Sequence, residues 1–119
     1  MTNTELEDRL IQFSITALEI SETMHKSGAG RHLSSQLTRS GTSVSLNYGE
    51  ARGGESKRDF VNKIKVVLKE LRESFICLKI IDRAKLYKSN QQISKALKEN
   101  NELISIFVAS IKTASNHYS

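Results

Sequence analysis

The sequence predicts an all-α domain, an antiparallel up-down-up-down four-helix bundle, on three observations. It holds no proline and only six glycines, which suits long uninterrupted helices and disfavours a turn-rich sandwich or barrel. Four segments carry apolar residues at helical spacing, in the first and last at alternating steps of four and three, the spacing of helices lying nearly parallel in a bundle. Three of the segments are introduced by Ser or Thr followed three residues later by Glu, Asp or Gln, the pattern of a capping box. At 119 residues the chain is long enough for one core without metal or disulfide, so residues 1–119 are read as a single domain.

Helix one is expected to open at Thr4, with Glu7 completing the box, and to bury Leu6, Leu10, Phe13, Ala17, Ile20 and Met24. Ser27 to Gly30 then supply the flexible residues expected to end it. Helix two, from about Arg31 to Arg52, contains a stretch from Gln36 to Glu50 that forms helix poorly on its own. Gly41 and Gly49 each cost about 1 kcal/mol relative to Ala, and Ser40, Thr42, Ser43, Ser45 and Asn47 compete for backbone hydrogen bonds. Neighbours must hold it. Small residues at Ser40, Gly41 and Ser43 allow close backbone approach, and Leu37, Val44 and Tyr48 share one apolar face, so this stretch is read as the packing seam of the bundle. Gly53-Gly54 should end the helix with residues free to take positive φ.

Ser56 caps helix three with Asp59 at the far end of its box, and Phe60, Ile64, Val67, Leu71, Phe75 and Leu78 form its core stripe. Running to about Leu86, it would be roughly 45 Å long. Val66, Ile76, Cys77, Ile80 and Ile81 point largely away from the Ile64 and Leu71 face, and a helix apolar on more than one side is usually buried on more than one side. Val66, Ile76, Ile80 and Ile81 are therefore the expected oligomer interface. Ser89 and Gln92 open helix four, whose seam runs through Ile93, Leu97, Asn100, Ile104, Phe107, Ile111 and Ala114. Asn100 either fixes register within that seam or sits at its edge. Asn116 to Ser119 should fray.

Charge is unevenly distributed. Residues 1–25 carry Arg9 against five acids, while residues 55–88 carry ten basic residues against five acidic ones, within a net charge of +5. Arg58, Lys65, Lys69, Arg72, Lys79 and Arg83 fall within an arc of about 80° along about 37 Å of helix three. Such a stripe suits phosphates, RNA or DNA held by charge with little base reading, or else an acidic protein partner; a solvated face with mixed charges is the plain alternative. The single cysteine excludes an intramolecular disulfide, and no apolar run approaches the roughly 20 residues of a membrane span, so a soluble cytoplasmic protein is expected.

Catalytic chemistry finds no foothold in the sequence. His25, His32 and His117 are scattered without metal-ligand spacing, no Gly-x-Ser-x-Gly elbow follows a strand, and neither Gly28-Ala29-Gly30 nor Gly53-Gly54 carries a phosphate-loop signature. Neither metal, cofactor nor enzymatic activity is expected, and Cys77 should pack in the interior. Arg39, Asn47 and Glu50 could form a buried polar network, with Glu50 paired to Arg39 or Arg52, or face a central channel.

Gln36-Leu37-x-Arg39-Ser40-Gly41-Thr42-Ser43-Val44-x-x-Asn47-Tyr48-x-Glu50-Ala51, followed by Ser56-x-x-Asp59-Phe60 and Lys69-Glu70-Leu71-x-Glu73-Ser74, resembles a bacterial four-helix-bundle family. That family comprises proteins encoded in intervening sequences of large-subunit ribosomal RNA genes and the accessory variability determinants of diversity-generating retroelements. The resemblance implies a homopentameric ring and, on the retroelement branch, nucleic-acid binding and a reverse transcriptase partner; the intervening-sequence branch has no settled activity. It departs at His25 to Ser27, where relatives commonly carry a proline.

Overall fold

In the computed structural model, which describes residues 1–118 and the side chains through Asn116, the chain forms four helices. They are α1 (Asn3–Glu22), α2 (Gly28–Arg52), α3 (Lys57–Arg83) and α4 (Asn90–Tyr118), in a bundle measuring 46 × 22 × 21 Å. Pairings across the seams give the direction. Arg52 reaches Glu7 while Ser34 reaches the Ser21 carbonyl, so α1 and α2 are antiparallel; Lys63 meets Glu50 while Cys77 lies against the Leu33 carbonyl, so α2 and α3 are antiparallel too. No Cα atom of α1 comes within 8 Å of α3, nor any of α2 of α4, so these pairs stand at opposite corners.

The expected apolar seams form one core. Leu10, Ile20, Leu37, Val44, Ile64, Val67, Leu71, Leu78, Ile93 and Phe107 are buried, and Tyr48 meets Phe107 edge-on across the bundle at 5.7 Å between centroids. Leu103 and Ala96 also enter the core. They extend the α4 face beyond the expected seam, because a straight helix drifts from a strict seven-residue repeat. Asn100 is fully buried. Oriented to satisfy its neighbours, its amide donates to the Leu71 carbonyl at 2.9 Å and accepts from Phe75 N–H at 3.1 Å, which ties α4 to the backbone of α3.

Helix ends differ from expectation in five places. The first capping box is Thr2 with Glu5, not Thr4 with Glu7, because Glu7 turns sideways to Arg52. Ser27 through Gly30 do not end α1; Ser27 caps α2 by accepting from Gly30 N–H at 3.1 Å, and Gly28 to Gly30 form its first turn. Gly53 ends α2 with φ −93°, and no glycine takes positive φ among the described residues. The left-handed residue is Lys85, φ 56°, where Leu86 N–H bonds the Ile81 carbonyl and Lys85 N–H the Asp82 carbonyl. This Schellman closure stops α3 at Arg83, short of the expected Leu86. Of the boxes expected at Ser56 and Ser89 the serine halves form, each accepting from the backbone N–H three residues on, while the Gln92 side chain accepts from the Tyr87 hydroxyl at 2.7 Å instead of reaching back. The tail expected to fray at Asn116 continues as helix to Tyr118, while Ser119 lies outside the described residues.

The polar seam of α2 resolves into separate contacts. Arg39 is exposed and bridges Glu70 and Glu73 of α3; Glu50 pairs with Lys63, not with Arg39 or Arg52; Asn47 donates to its own helix at the Ser43 carbonyl. No buried network links the three, since Arg39 and Glu50 both lie on the rim, where long side chains pair without being desolvated. Beneath the rim, Ser74 donates to Ser40 at 2.9 Å in full burial. Burial raises the Glu70 carboxyl above its ordinary value, while the hydrogen bond from Arg39 holds Glu73 below it. Glu73 therefore adds stability above the ordinary carboxylate range, and that stability is lost as pH falls through its depressed value; Glu70 acts in the opposite sense. Glu73→Gln is expected to lower the melting temperature slightly at pH 7, where the contribution is present, and to converge on the native protein as pH falls below about 3, so that the acid limb of its profile is flatter.

Candidate nucleic-acid interface

The face of α3 turned away from the core holds the predicted basic stripe. The buried face runs through Ile64, Val67, Leu71, Ser74, Leu78 and Ile81. At 100° per residue, Arg58, Lys65, Lys69, Arg72, Lys79 and Arg83 fall on the opposite side. All are exposed except Lys79, which is half-buried because its ammonium rests over the Phe75 ring, 4.5 Å from the centroid.

Ion pairing sorts the charges further. Arg9 bridges Glu99 and Glu102 across α1 and α4, Arg39 takes Glu70 and Glu73, Arg52 takes Glu7, and Lys63 takes Glu50. The six stripe cations make no ion pair among the described residues. Glu70 and Glu73, the acids nearest the stripe in sequence, are drawn toward α2 by Arg39 and leave the ridge positively charged.

The four residues expected at an oligomer interface separate into two groups. Val66, Ile76 and Ile80 are exposed, Ile76 by 54%. Ile81 is fully buried in the monomer core, and Cys77 beside it is buried as well, so neither can meet a partner. Their angular positions lie on the α2 side of α3, and the neighbouring helix covers what an isolated helical wheel leaves open. Burial pushes the Cys77 thiol up to about 11, consistent with a packed cysteine rather than a reactive one. A second exposed aliphatic set escaped the sequence reading: Ile11, Ile15 and Leu18 on α1. Their steps of four and three repeat the core spacing on the opposite side of the helix, a signal present in the sequence.

Among the described residues no group of His, Cys, Asp and Glu is placed to hold a metal ion, and no helix is long and apolar enough to cross a membrane. A surface hollow of about 530 Å³ lies at the α2–α3 turn beside Arg52, Ser56 and Phe60, away from the stripe.

Comparison with known proteins bears on the whole bundle. The family model described as 23S rRNA-intervening sequence protein matches residues 3–109. The chain is similar to a crystal structure described as a protein with unknown function from the S23 ribosomal protein family, from Bacteroides thetaiotaomicron. The two are 26% identical with a TM-score of 0.84, and the match covers 94% of this chain and 99% of that one. No curated protein matches the chain.

Proposed function

Because this chain belongs to the 23S rRNA-intervening sequence protein family, we propose that it is a non-enzymatic accessory protein that holds RNA or DNA by its phosphate backbone along the outer ridge of α3. The observation that carries this reading is the set of six cations on one ridge without ion pairs, while Arg9, Arg39, Arg52 and Lys63 are engaged in ion pairs between helices. The ridge spans about 37 Å, close to one turn of duplex, and offers no base-reading motif, so affinity should come from counterion release with little dependence on sequence.

Lys65→Glu, Lys69→Glu and Arg72→Glu combined are expected to abolish retardation of a labelled RNA or DNA duplex at low salt while leaving the helical circular dichroism unchanged. In the native protein, log affinity should fall linearly with log salt. Duplex retained by the triple variant would move the function off this ridge.

A second reading rests on the exposed Val66, Ile76 and Ile80: self-association, with five copies implied by the resemblance, as a scaffold for other proteins. A reverse transcriptase is the partner that the retroelement branch of the resemblance would add, and its retention on the immobilised protein, with and without nuclease, tests that role.

A further inference from the structure

We propose that the end of the bundle formed by the α1–α2 and α3–α4 loops binds a single strand where it leaves a duplex, so that the ligand of the α3 ridge is a duplex with an unpaired extension. This rests on the ridge reading above and names the class of nucleic acid. Charge, one strained lysine and the shape of the bundle support it.

Residues 23–32 and 83–89 hold Lys26, Arg31, Arg83, Lys85 and Lys88 and no acid, with Glu22 and Asp82 flanking the two segments. All five cations are exposed, and none makes an ion pair among the described residues. The first turns of α2 and α4, which open at this end, contain no acid either, whereas α1 and α3 begin at the opposite end with Glu5 and Asp59. Anions are therefore drawn to one end of the bundle over the other. The two loops are fixed to each other. His25 N–H donates to the Leu86 carbonyl at 3.0 Å, and Thr23 donates to the Tyr87 hydroxyl, which donates to Gln92. That tie keeps the Lys26 and Lys85 Cα atoms within about 15 Å of each other, so both loops contribute to one patch that begins where the ridge ends at Arg83.

Lys85 is an independent observation. It is the one residue with positive φ among the described residues, at 56°, and a Schellman closure is ordinarily made by glycine, which takes that conformation without the strain a Cβ brings. The lysine side chain is exposed and makes no ion pair, so nothing in its own chain compensates the strain. A cation held at such a position points to a partner outside the chain.

Shape decides what that partner is. The ridge runs along the 46 Å axis of the bundle, while the loop end is its 22 × 21 Å cross-section. Duplex DNA, with a persistence length of about 150 bp, stays straight on the ridge and passes the end without turning onto it. An unpaired strand turns freely. His25 and His32, both exposed at the same end, offer rings on which unpaired bases can stack and which a paired stack could not use.

Two labelled probes test this on the full chain: a blunt duplex of about 11 bp, matched to the ridge, and the same duplex with a single-stranded extension of about six nucleotides. The extended probe is expected to bind about tenfold tighter at low salt, with the slope of log affinity against log salt steeper by about 2 for three added strand phosphates. Lys26→Glu combined with Lys88→Glu should remove that gain and leave blunt-duplex affinity nearly unchanged. Lys85→Gly should raise the melting temperature by about 2–4 °C and still reduce the gain, a pairing that a purely structural lysine would not give, while Lys85→Arg keeps the gain. No gain from the extension in the native protein, a gain retained by the Lys26→Glu, Lys88→Glu variant, or blunt-duplex binding lost with it, overturns the single-strand assignment and leaves the ridge standing. Lys85→Gly with the full gain intact overturns the role of Lys85. A native protein that retards neither probe overturns the ridge reading and this one together.

Discussion

Gly30→Ala is expected to destabilise the fold by about 2–4 kcal/mol, although Ala is the better helix former. A Cβ built on Gly30 would lie 1.8 Å from the His25 carbonyl oxygen, well inside contact distance and against backbone instead of a movable side chain. The five residues between α1 and α2 fold back over the first turn of α2, and His25 N–H is tied to the Leu86 carbonyl of the α3–α4 connection at 3.0 Å. Relief would mean moving the loop and breaking that tie. Thermal unfolding measures the effect, at about 4 °C per kcal/mol for a domain of this size. Gly28→Ala is the control: a Cβ there meets nothing within 4 Å, so melting should stay level or rise slightly. Equal behaviour of the two variants would show that the loop does not press on Gly30.

Gly41→Leu should cost roughly 1–3 kcal/mol through overpacking, against a gain of less than about 1 kcal/mol in helix propensity. A Cβ at Gly41 would stand 2.5 Å from the Ala17 Cβ, so α1 and α2 approach at this point more closely than two side chains permit. Ser14 uses the same closeness, donating to the Gly41 carbonyl at 2.7 Å and meeting the Ser45 hydroxyl at 2.6 Å. Separating the helices would break both contacts. Chemical denaturation measures the loss, and Ala17→Gly should recover part of it in Gly41→Ala by removing the opposing methyl. A melting temperature raised by Gly41→Leu would place Gly41 in solvent and contradict the seam.

The apolar periods of the four segments were sufficient to find four helices and most of the core, because burial in a bundle follows the same 3.6-residue turn that spaces side chains on an isolated helix. The weak helix-forming residues of Gln36 to Glu50 also identified the seam correctly, since small residues are tolerated in a helix where another backbone comes close. Helix ends were less legible. Glycines at 28 and 30 read as a stop, yet open α2, because Gly30 is required by the loop above it. Lys85, which carries no turn signal, takes the left-handed position that ends α3.

The basic stripe was visible as an arc, but its freedom was not: a helical wheel cannot show that Arg39 draws Glu70 and Glu73 toward α2, leaving six cations without a carboxylate at ion-pair distance. Ile81 and Cys77 show the converse, exposed on the wheel of α3 alone and buried once α2 lies beside it. The sequence by itself determined which residues are apolar and how often they recur, and hence the helices and their core faces, because that information is local to each helix. Only the tertiary structure decided which flank of each helix a neighbour covers, and so which charges stay unpaired and which aliphatics stay in solvent, because coverage depends on the order of helices around the bundle and not on any one helix's period.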